Sequence, residues 1–401
     1  MAAGPLLVAS ITSDPAAVAG AAFAQQLPWL LFALISGAWA DRLDRRRLVV
    51  TVNCVRALAL LTLTTCIATG AATIWLIYAI LFVLGTGETL ADTAAAAFVP
   101  ALVPPSRLPT ANSWLGATFT VVNQFAAKPL GGWLFVVAAA APFGLQALTF
   151  AGAALLVSRI RSLSPPGVSS PGVSSPGVSS PGASPAAVPA ASDRSSMSSE
   201  IAVGLRWLWG HRLLRTLAVT MAFGNLVYCA AFAIFVLYAQ HRLGLGPAGY
   251  GLLLTAFAVG GLAGTVLAPR LLRTLPAAAL LRTGLIIEVA LHATLASTTA
   301  VPVAATMIVV FGIHTMVWGN VAWTLRQRSV PSPLYGRVTS VYSLLDLGGA
   351  ALGSLLGGAL ASAYGIVPTF WTAAAAMGVI VLLSWQPLGA ATAAFRAPSP
   401  G

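Results

Sequence analysis

From Val18 to Ala40 the chain carries no Lys, Arg, Asp or Glu, and from Leu48 to Ala68 Arg56 is the only charge. Between these runs lies Asp41-Arg42-Leu-Asp44-Arg45-Arg46-Arg47, with four Arg in seven residues. Apolar runs of about 20 residues, the length of a bilayer-spanning helix, recur between short charged turns to the end of the chain. This rhythm predicts eleven spans, near 17–40, 48–69, 73–97, 110–135, 137–159, 214–240, 248–269, 277–297, 301–325, 335–361 and 364–385. The segment Ala2 to Thr12 is apolar as well. At 1.5 Å per residue it reaches only about 16 Å and cannot cross alone.

Composition agrees with the pattern. Hydrophobic residues make up 58% of the chain and charged residues 7%, with a mean hydropathy of +0.88. A soluble chain would be about a quarter charged, so this is an integral membrane protein. The net charge of +12 invites a nucleic-acid reading, but the Arg residues fall in gaps between spans and form no basic face. No nucleic-acid partner is expected. Cys54, Cys66 and Cys229 lie inside apolar spans without metal-ligand spacing and read as packing residues. No secretory leader is visible, because no basic stretch precedes the first apolar one.

Positive charge stays on the side where a membrane protein is made. With the 41–47 turn cytoplasmic, the same side takes Arg107, Arg159, Arg161, Arg194, Arg206, Arg212, Arg215, Arg270, Arg273, Arg326, Arg328, Arg337 and Arg396, and the other side takes Arg242. The expected location is an inner or plasma membrane, with the C-terminus and central linker cytoplasmic. That linker, 164–199, repeats Ser-Ser-Pro-Gly-Val and is expected to be disordered and extended. The stretch Ser198 to Arg215 mixes Trp207 and Trp209 with Arg206, His211 and Arg212 and reads as an interfacial helix. The expected organisation is an N-terminal bundle (1–163), the linker (164–199), a C-terminal bundle (200–390) and a cytoplasmic tail (391–401).

The two bundles resemble each other. Gly37 and Arg46 match Gly264 and Arg273 at an offset of 227, and Val103-Pro104 matches Val330-Pro331 at the same offset. Gly131-Gly132 matches Gly357-Gly358 at 226. Duplicated six-span halves are a transporter architecture with the substrate site between them. The same offset places the counterpart of the span near Thr216 a dozen or so residues before Met1. The expectation is a chain that starts inside its first helix, through either an upstream true start or a truncation.

Gly37, Asp41, Arg42, Arg45 and Arg46, in the pattern Gly-x-x-x-Asp-Arg-x-x-Arg-Arg, resemble the signature of the major facilitator superfamily. Asp44 stands where that family often has Gly. Gly85-Thr-Gly-Glu88-Thr-Leu-Ala-Asp92, Leu108-Pro-Thr-Ala-Asn112, Gly249-Tyr-Gly, Arg326-Gln-Arg-Ser-Val-Pro331 and Gly336-Arg337-Val resemble its bacterial siderophore- and macrolide-exporter-like branch. Departures are Lys128 before Pro129, the lack of an Arg in the 73–97 span, and a Gly-Asp pair missing with the start of the first helix. The resemblance implies an all-α fold of two pseudo-symmetric six-helix halves. It also implies a small-molecule substrate exported by proton antiport, no cofactor, and a monomer in the lipid bilayer.

A charge within hydrocarbon costs about 2.5–3.5 kcal/mol even on the lenient insertion scale, so each needs a partner or a task. Glu88 and Asp92, at i and i+4, share one helix face and suit proton binding and release. Asp92 alternatively latches onto Arg42 or Arg46. In the family the counterpart of Asp41 caps a facing helix of the other half, here around Gly336 to Ser340, as a gate. Asp346 and Lys128 are lone charges in spans between the halves, and either pair directly or face the cavity. Glu288 and His292 at i and i+4 are expected to satisfy one another on a peripheral helix. His314, Trp318, Asn320 and Trp323, with Asn225 and Tyr228, lie on helices that line the cavity in the family. Rings and amides there suit a bulky amphiphile, while the tryptophans also fit a membrane-interface belt. No Gly-x-x-x-x-Gly-Lys, metal set or Ser-His-Asp arrangement occurs, so neither an ATP-driven pump nor an enzyme is expected.

Overall fold

In hydrocarbon a backbone must satisfy each N–H and C=O within itself, so charge-free runs of this length become helices. The computed structural model describes residues 3–42, 44–96, 128–159, 197–331 and 334–394, with isolated positions between 103 and 127. At 33–42, 45, 92–96, 128–129, 197–201, 336, 340 and 390–394 it describes the backbone alone. The helices in the first half are α1 (Ala3–Ile11), α2 (Pro15–Arg42), α3 (Arg45–Ala68), α4 (Ile74–Ala96), α5 (Lys128–Val137) and α6 (Ala141–Ser158). Then come α7 (Met197–Gly210), α8 (Arg212–Ala233), α9 (Pro247–Thr274), α10 (Ala277–Ser297), α11 (Val301–Ser329), α12 (Tyr335–Tyr364) and α13 (Ile366–Ala394). A helical turn at Phe235–Leu237 and a π-turn at Tyr238–Arg242 join α8 to α9. Among the described residues nine helices are long and apolar enough to cross a bilayer.

The expected span 110–135 lies mostly outside the described residues, and only its end appears, as α5. The repeat from 164 lies outside them too; α7 already starts at Met197, ahead of the expected boundary at 200. At the other end α13 runs to Ala394, past the expected 390. The interfacial helix divides at His211, whose extended backbone and ring cap α8, with Leu214 N donating to Nδ1 at 3.4 Å. Asp44 has a similar task. Its Oδ1 accepts from Arg47 N at 3.0 Å and caps α3, which accounts for an acid where a Gly was the family's choice.

Small residues decide how the helices meet. On α12, Gly349, Gly353 and Gly357 lie against α8. A Cβ at these positions would sit 2.4, 2.1 and 2.0 Å from the carbonyl oxygens of Ala222, Leu226 and Ala230. The indices rise together, so α8 and α12 run parallel at backbone contact. Gly260 and Gly264 of α9 make the equivalent approach to Val309 and Ile313 of α11. A second face of α12 meets α2 in the antiparallel sense: Gly358 on Ala19, Ser354 Oγ accepting from Gln26 Nε2 at 3.3 Å, and Ser362 at the start of α2. There Ser362 Oγ donates to Asp14 Oδ1 and accepts from Ala16 N, both at 3.0 Å.

The halves therefore join along α2–α12, and also along α5–α9, where a Cβ on Gly132 would lie 2.8 Å from Gly251 Cα. Both tight contacts fall at the end away from the Arg-rich turn. One apolar cluster, holding Leu6, Leu81 and Phe143 with Phe235, Leu253 and Phe370, spans both halves at that end. A second cluster, with Leu214, Leu281, Val321, Val341 and Met377, belongs to the second half alone among the described residues. The short α1 buries Leu6, Leu7 and Val8 in the first cluster and packs on α2, α4, α5 and Phe235–Leu237. Of the cysteines, Cys229 is buried, Cys66 half-buried and Cys54 exposed on α3.

Replacing Gly353 by Leu should force α8 and α12 apart, costing about 1–3 kcal/mol or more of stability. The check is unfolding of the purified protein in mixed micelles, with Gly319→Leu, where no atom lies within 4 Å of an added Cβ, as the tolerated control.

Candidate functional site

Helices α8, α10, α11 and α12 surround a cavity of about 430 Å³ in the second half, closed at one side by Phe257 of α9. That volume is within the range of small-molecule sites. The α11 wall is a stripe at four-residue spacing, His314, Trp318, Ala322 and Arg326, which a helix places on one face. From α8 come Gly224, Asn225 and Tyr228, from α10 Glu288, and from α12 Tyr342 and Asp346.

Two polar pairs organise it. Glu288 Oε1 accepts from His314 Nε2 at 3.1 Å, with the His side chain 3% and the Glu side chain 16% exposed. Gly284 makes the room: a Cβ there would strike the His314 ring at 2.3 Å, while one on Gly224 would stand in ordinary contact, 3.6 Å from Glu288 Oε2. In the second pair Asn225 Nδ2 donates to Asp346 Oδ1 and to Asp346 O, each at 2.9 Å. Cys229 Sγ in turn donates to Asn225 Oδ1 at 3.5 Å, orienting the amide. Arg326 lies over the rings of Tyr342 (5.0 Å) and Trp323 (5.1 Å), while the Tyr342 hydroxyl donates to Leu214 O at 2.5 Å.

Three polar atoms of the wall are buried without a hydrogen-bond partner in the protein: Glu288 Oε2, Trp318 Nε1 and Arg326 Nε. Unpaired buried polar atoms are rare and mark places where a ligand or water completes the set. Deeper along α8, the rings of Tyr228, Phe232, Phe235 and Tyr238 follow one another at 5.4–6.2 Å centroid spacing. Tyr228, Phe232 and Phe235 line a smaller apolar pocket of about 50 Å³ with Phe257, Phe311 and Phe370.

Several expectations meet this geometry directly. Asn225, Tyr228, His314, Trp318, Trp323 and Asp346 all line the cavity. Asn320 does not: it is exposed, and its amide donates to Met316 O at 2.9 Å, because it lies two residues from Trp318 and thus on another helix face. The Glu288–His292 pairing is corrected. His292 Nδ1 bonds the backbone carbonyl of Glu288 at 2.7 Å, leaving the carboxylate free to turn toward His314. Helix α10 is therefore part of the cavity wall. A signal for this existed. The turn near Ala300 makes α10 and α11 a hairpin, and Glu288 and His314 sit within about 6 Å of equal depth at 1.5 Å per residue.

Asp346 bonds Asn225, while the side chain of Lys128 lies outside the described residues, as do those of Gly37, Asp41, Arg42, Arg45, Asp92, Gly336 and Ser340. The gate and latch expectations rest on those side chains. Arg46 is described, and its Nη2 donates to Ser158 O at the C-terminal end of α6. Glu88 is half-buried on α4 and is not among the cavity-lining residues; its neighbour Gly87 packs on Arg56, which lies over Phe150 at 3.9 Å. Among the described residues no three of His, Cys, Asp and Glu gather in metal-holding range.

The family model for the Major Facilitator Superfamily matches residues 1–346. No curated protein matches the chain. Among solved structures, a bacterial homologue of the iron transporter ferroportin in an inward-facing state is similar, with 19% identity and a TM-score of 0.67, covering 97% of this chain and 93% of that one. The nucleoside transporter NupG is similar at 8% identity and a TM-score of 0.72, covering 96% of this chain and 94% of its own. A bacterial homologue of the human lysosomal transporter Spinster, inward-facing and unoccupied, has 16% identity and a TM-score of 0.70 over 100% and 94% of the two chains.

Removing the Asn225 amide by Asn225→Ala should leave the half-buried Asp346 carboxylate without its donor. A loss of about 1.5–3 kcal/mol is expected, the range for hydrogen bonds to charged groups. Thermal unfolding checks it, with the double variant Asn225→Ala/Asp346→Ala costing less than the sum of the two singles.

Proposed function

The chain belongs to the Major Facilitator Superfamily, and on that premise we propose that it exports a small organic molecule, drug- or siderophore-like, by proton antiport and alternating access. The cavity of the second half carries this reading: two carboxylates, an amide and a set of rings facing one space of about 430 Å³ inside a membrane bundle. Charged groups at that depth are retained for substrates or ions. The siderophore- and macrolide-exporter-like branch supplies the direction of transport. Its proposed organisation is two six-helix halves, 1–163 and 200–390, acting as a monomer in the inner membrane with the Arg-rich ends and linker cytoplasmic.

Contacts between the halves support a particular state. The α2–α12 and α5–α9 seams, and the apolar cluster shared by both halves, are packed at the end away from the Arg-rich turn. In the proposed orientation that end is the outer one, so the outer mouth is shut and substrate enters from the cytoplasm. Rocking then requires the Asp14–Ser362–Ala16 bonds and the Gly358–Ala19 contact to part. All of these are short-reach interactions that small residues make and release cheaply. Asp41, at the far end of α2, is the proposed latch of the opposite state.

Protons are proposed to use Glu88 and Asp92 on α4. Motion of α2, which packs against both α4 and α12, would link those acids to the cavity. An importer of the same fold would share every one of these features except direction, and an inactive remnant would move nothing.

Inside-out vesicles holding the full-length protein and an acidic lumen should release protons when a transported amphiphile is added. Glu88→Gln should reduce that release to background while expression and unfolding stay native. Proton release unchanged by Glu88→Gln would return Glu88 to a packing role. Its absence in the native protein, with substrate still moving, would remove the antiport.

A further inference from the structure

We propose that the cavity selects monovalent organic cations with an apolar, ring-bearing body, the ammonium being held on Glu288. This rests on the reading of the cavity as the substrate site and adds the class of molecule it takes. Glu288 lines the cavity; its Oε1 is engaged by His314, while Oε2 is buried and accepts no hydrogen bond from the protein. A buried carboxylate oxygen with no donor is costly, and a cationic N–H is the strongest donor that can complete it.

The surroundings favour that charge. His314 is the titratable side chain hydrogen-bonded to Glu288, its Nε2 lying 3.1 Å from Oε1. His292, on the same helix, turns its Nδ1 to the backbone of Glu288. Arg282, also on α10, is engaged elsewhere, donating to Trp385 O and lying over the Trp385 ring at 4.6 Å. The cavity's own cation, Arg326, is twelve residues beyond His314 on α11, about 18 Å of helix rise, and lies over the rings of Tyr342 and Trp323 instead. One pole of the cavity thus holds the Glu288 carboxylate and the other the Arg326 guanidinium. Near the anionic pole Tyr228 and Phe311 stand 5.4 Å apart, and Phe311 and the His314 ring 5.9 Å apart. Ring faces attract a cation within about 6 Å and cover its apolar body.

Trp318 adds a second requirement. Its Nε1 is buried and unpaired one turn along α11 from His314, and both rings press on Gly284. The ligand that completes the wall therefore carries an acceptor oxygen near its ammonium. An amine with a neighbouring hydroxyl or ether on an aromatic body meets all three conditions.

The test uses the full-length protein in lipid nanodiscs and equilibrium dialysis of three matched probes. They are propranolol (an aryloxy-propanolamine cation), the corresponding neutral naphthyloxy-propanediol, and anionic naphthyloxyacetate. Propranolol should bind about tenfold or more tightly than the diol, the acetate weakest. Glu288→Gln should bring propranolol to within about twofold of the diol, while His314→Gln, which keeps the carboxylate, should retain the preference. Ala322→Trp, which fills the cavity, should weaken all binding. If Ala322→Trp weakens binding but the three probes bind alike, or the preference survives Glu288→Gln, the site stands and cation selection falls. Loss of the preference in both Glu288→Gln and His314→Gln assigns it to packing and overturns the proposal. If Ala322→Trp changes nothing, the cavity is not the site and both readings fall. No binding by propranolol overturns the selection of cations as well.

Discussion

Close backbone approach along α12 is the constraint on which the rest of the structure depends. In a bilayer no hydrophobic force drives one apolar helix onto another, so contact area at short range has to supply it. Gly349, Gly353 and Gly357 bring α8 to carbonyl contact, while Ser354, Gly358 and Ser362 take α2 on a neighbouring face. One helix therefore holds its own half together and joins it to the other. Any side chain larger than Ser on these faces would separate elements that the rest of the bundle assumes to be adjacent.

The cavity inherits its shape from the same two helices. The faces of α8 and α12 that carry Asn225, Tyr228, Tyr342 and Asp346 are set by the seam residues between and beyond them. With α8 and α12 in register, Asn225 is placed to donate to both oxygens offered by Asp346. Gly284 does for the Glu288–His314 pair what the α12 glycines do for the backbone, by leaving space that a methyl group would fill. Small residues serve here as both contact and clearance, and their effect depends on what faces them.

Charges in the bundle follow a common economy. Arg46 and Arg282 give their donors to backbone carbonyls, of Ser158 at the end of α6 and of Trp385 within α13, and Asp44 caps α3. These are structural uses. Glu288 and Asp346 differ, since each lies within a span and points into a shared space with acceptor capacity left over or held by a single amide. Polar groups that the fold satisfies hold the fold; those it leaves open are where a ligand has something to add.

The apolar spans among the described residues were legible in the sequence, because hydropathy and the placement of charge act locally and need no partner. The duplication was legible through Gly37, Gly264 and their matching Arg residues. Asn225, His314 and Asp346 could be nominated because a polar residue in an apolar run stands out by itself. Partners were another matter. Glu288 looked settled by His292 one turn away, yet only the packing of α10 against α11 turned its carboxylate to His314. Asn320 looked equivalent to Trp318 until helix phase put it on the outer face. A sequence declares what cannot stay in water or cannot stay in lipid, since that depends on each side chain alone. Which oxygen remains unpaired, and toward which space it points, depends on the distance and phase between helices, and only the tertiary structure decides those.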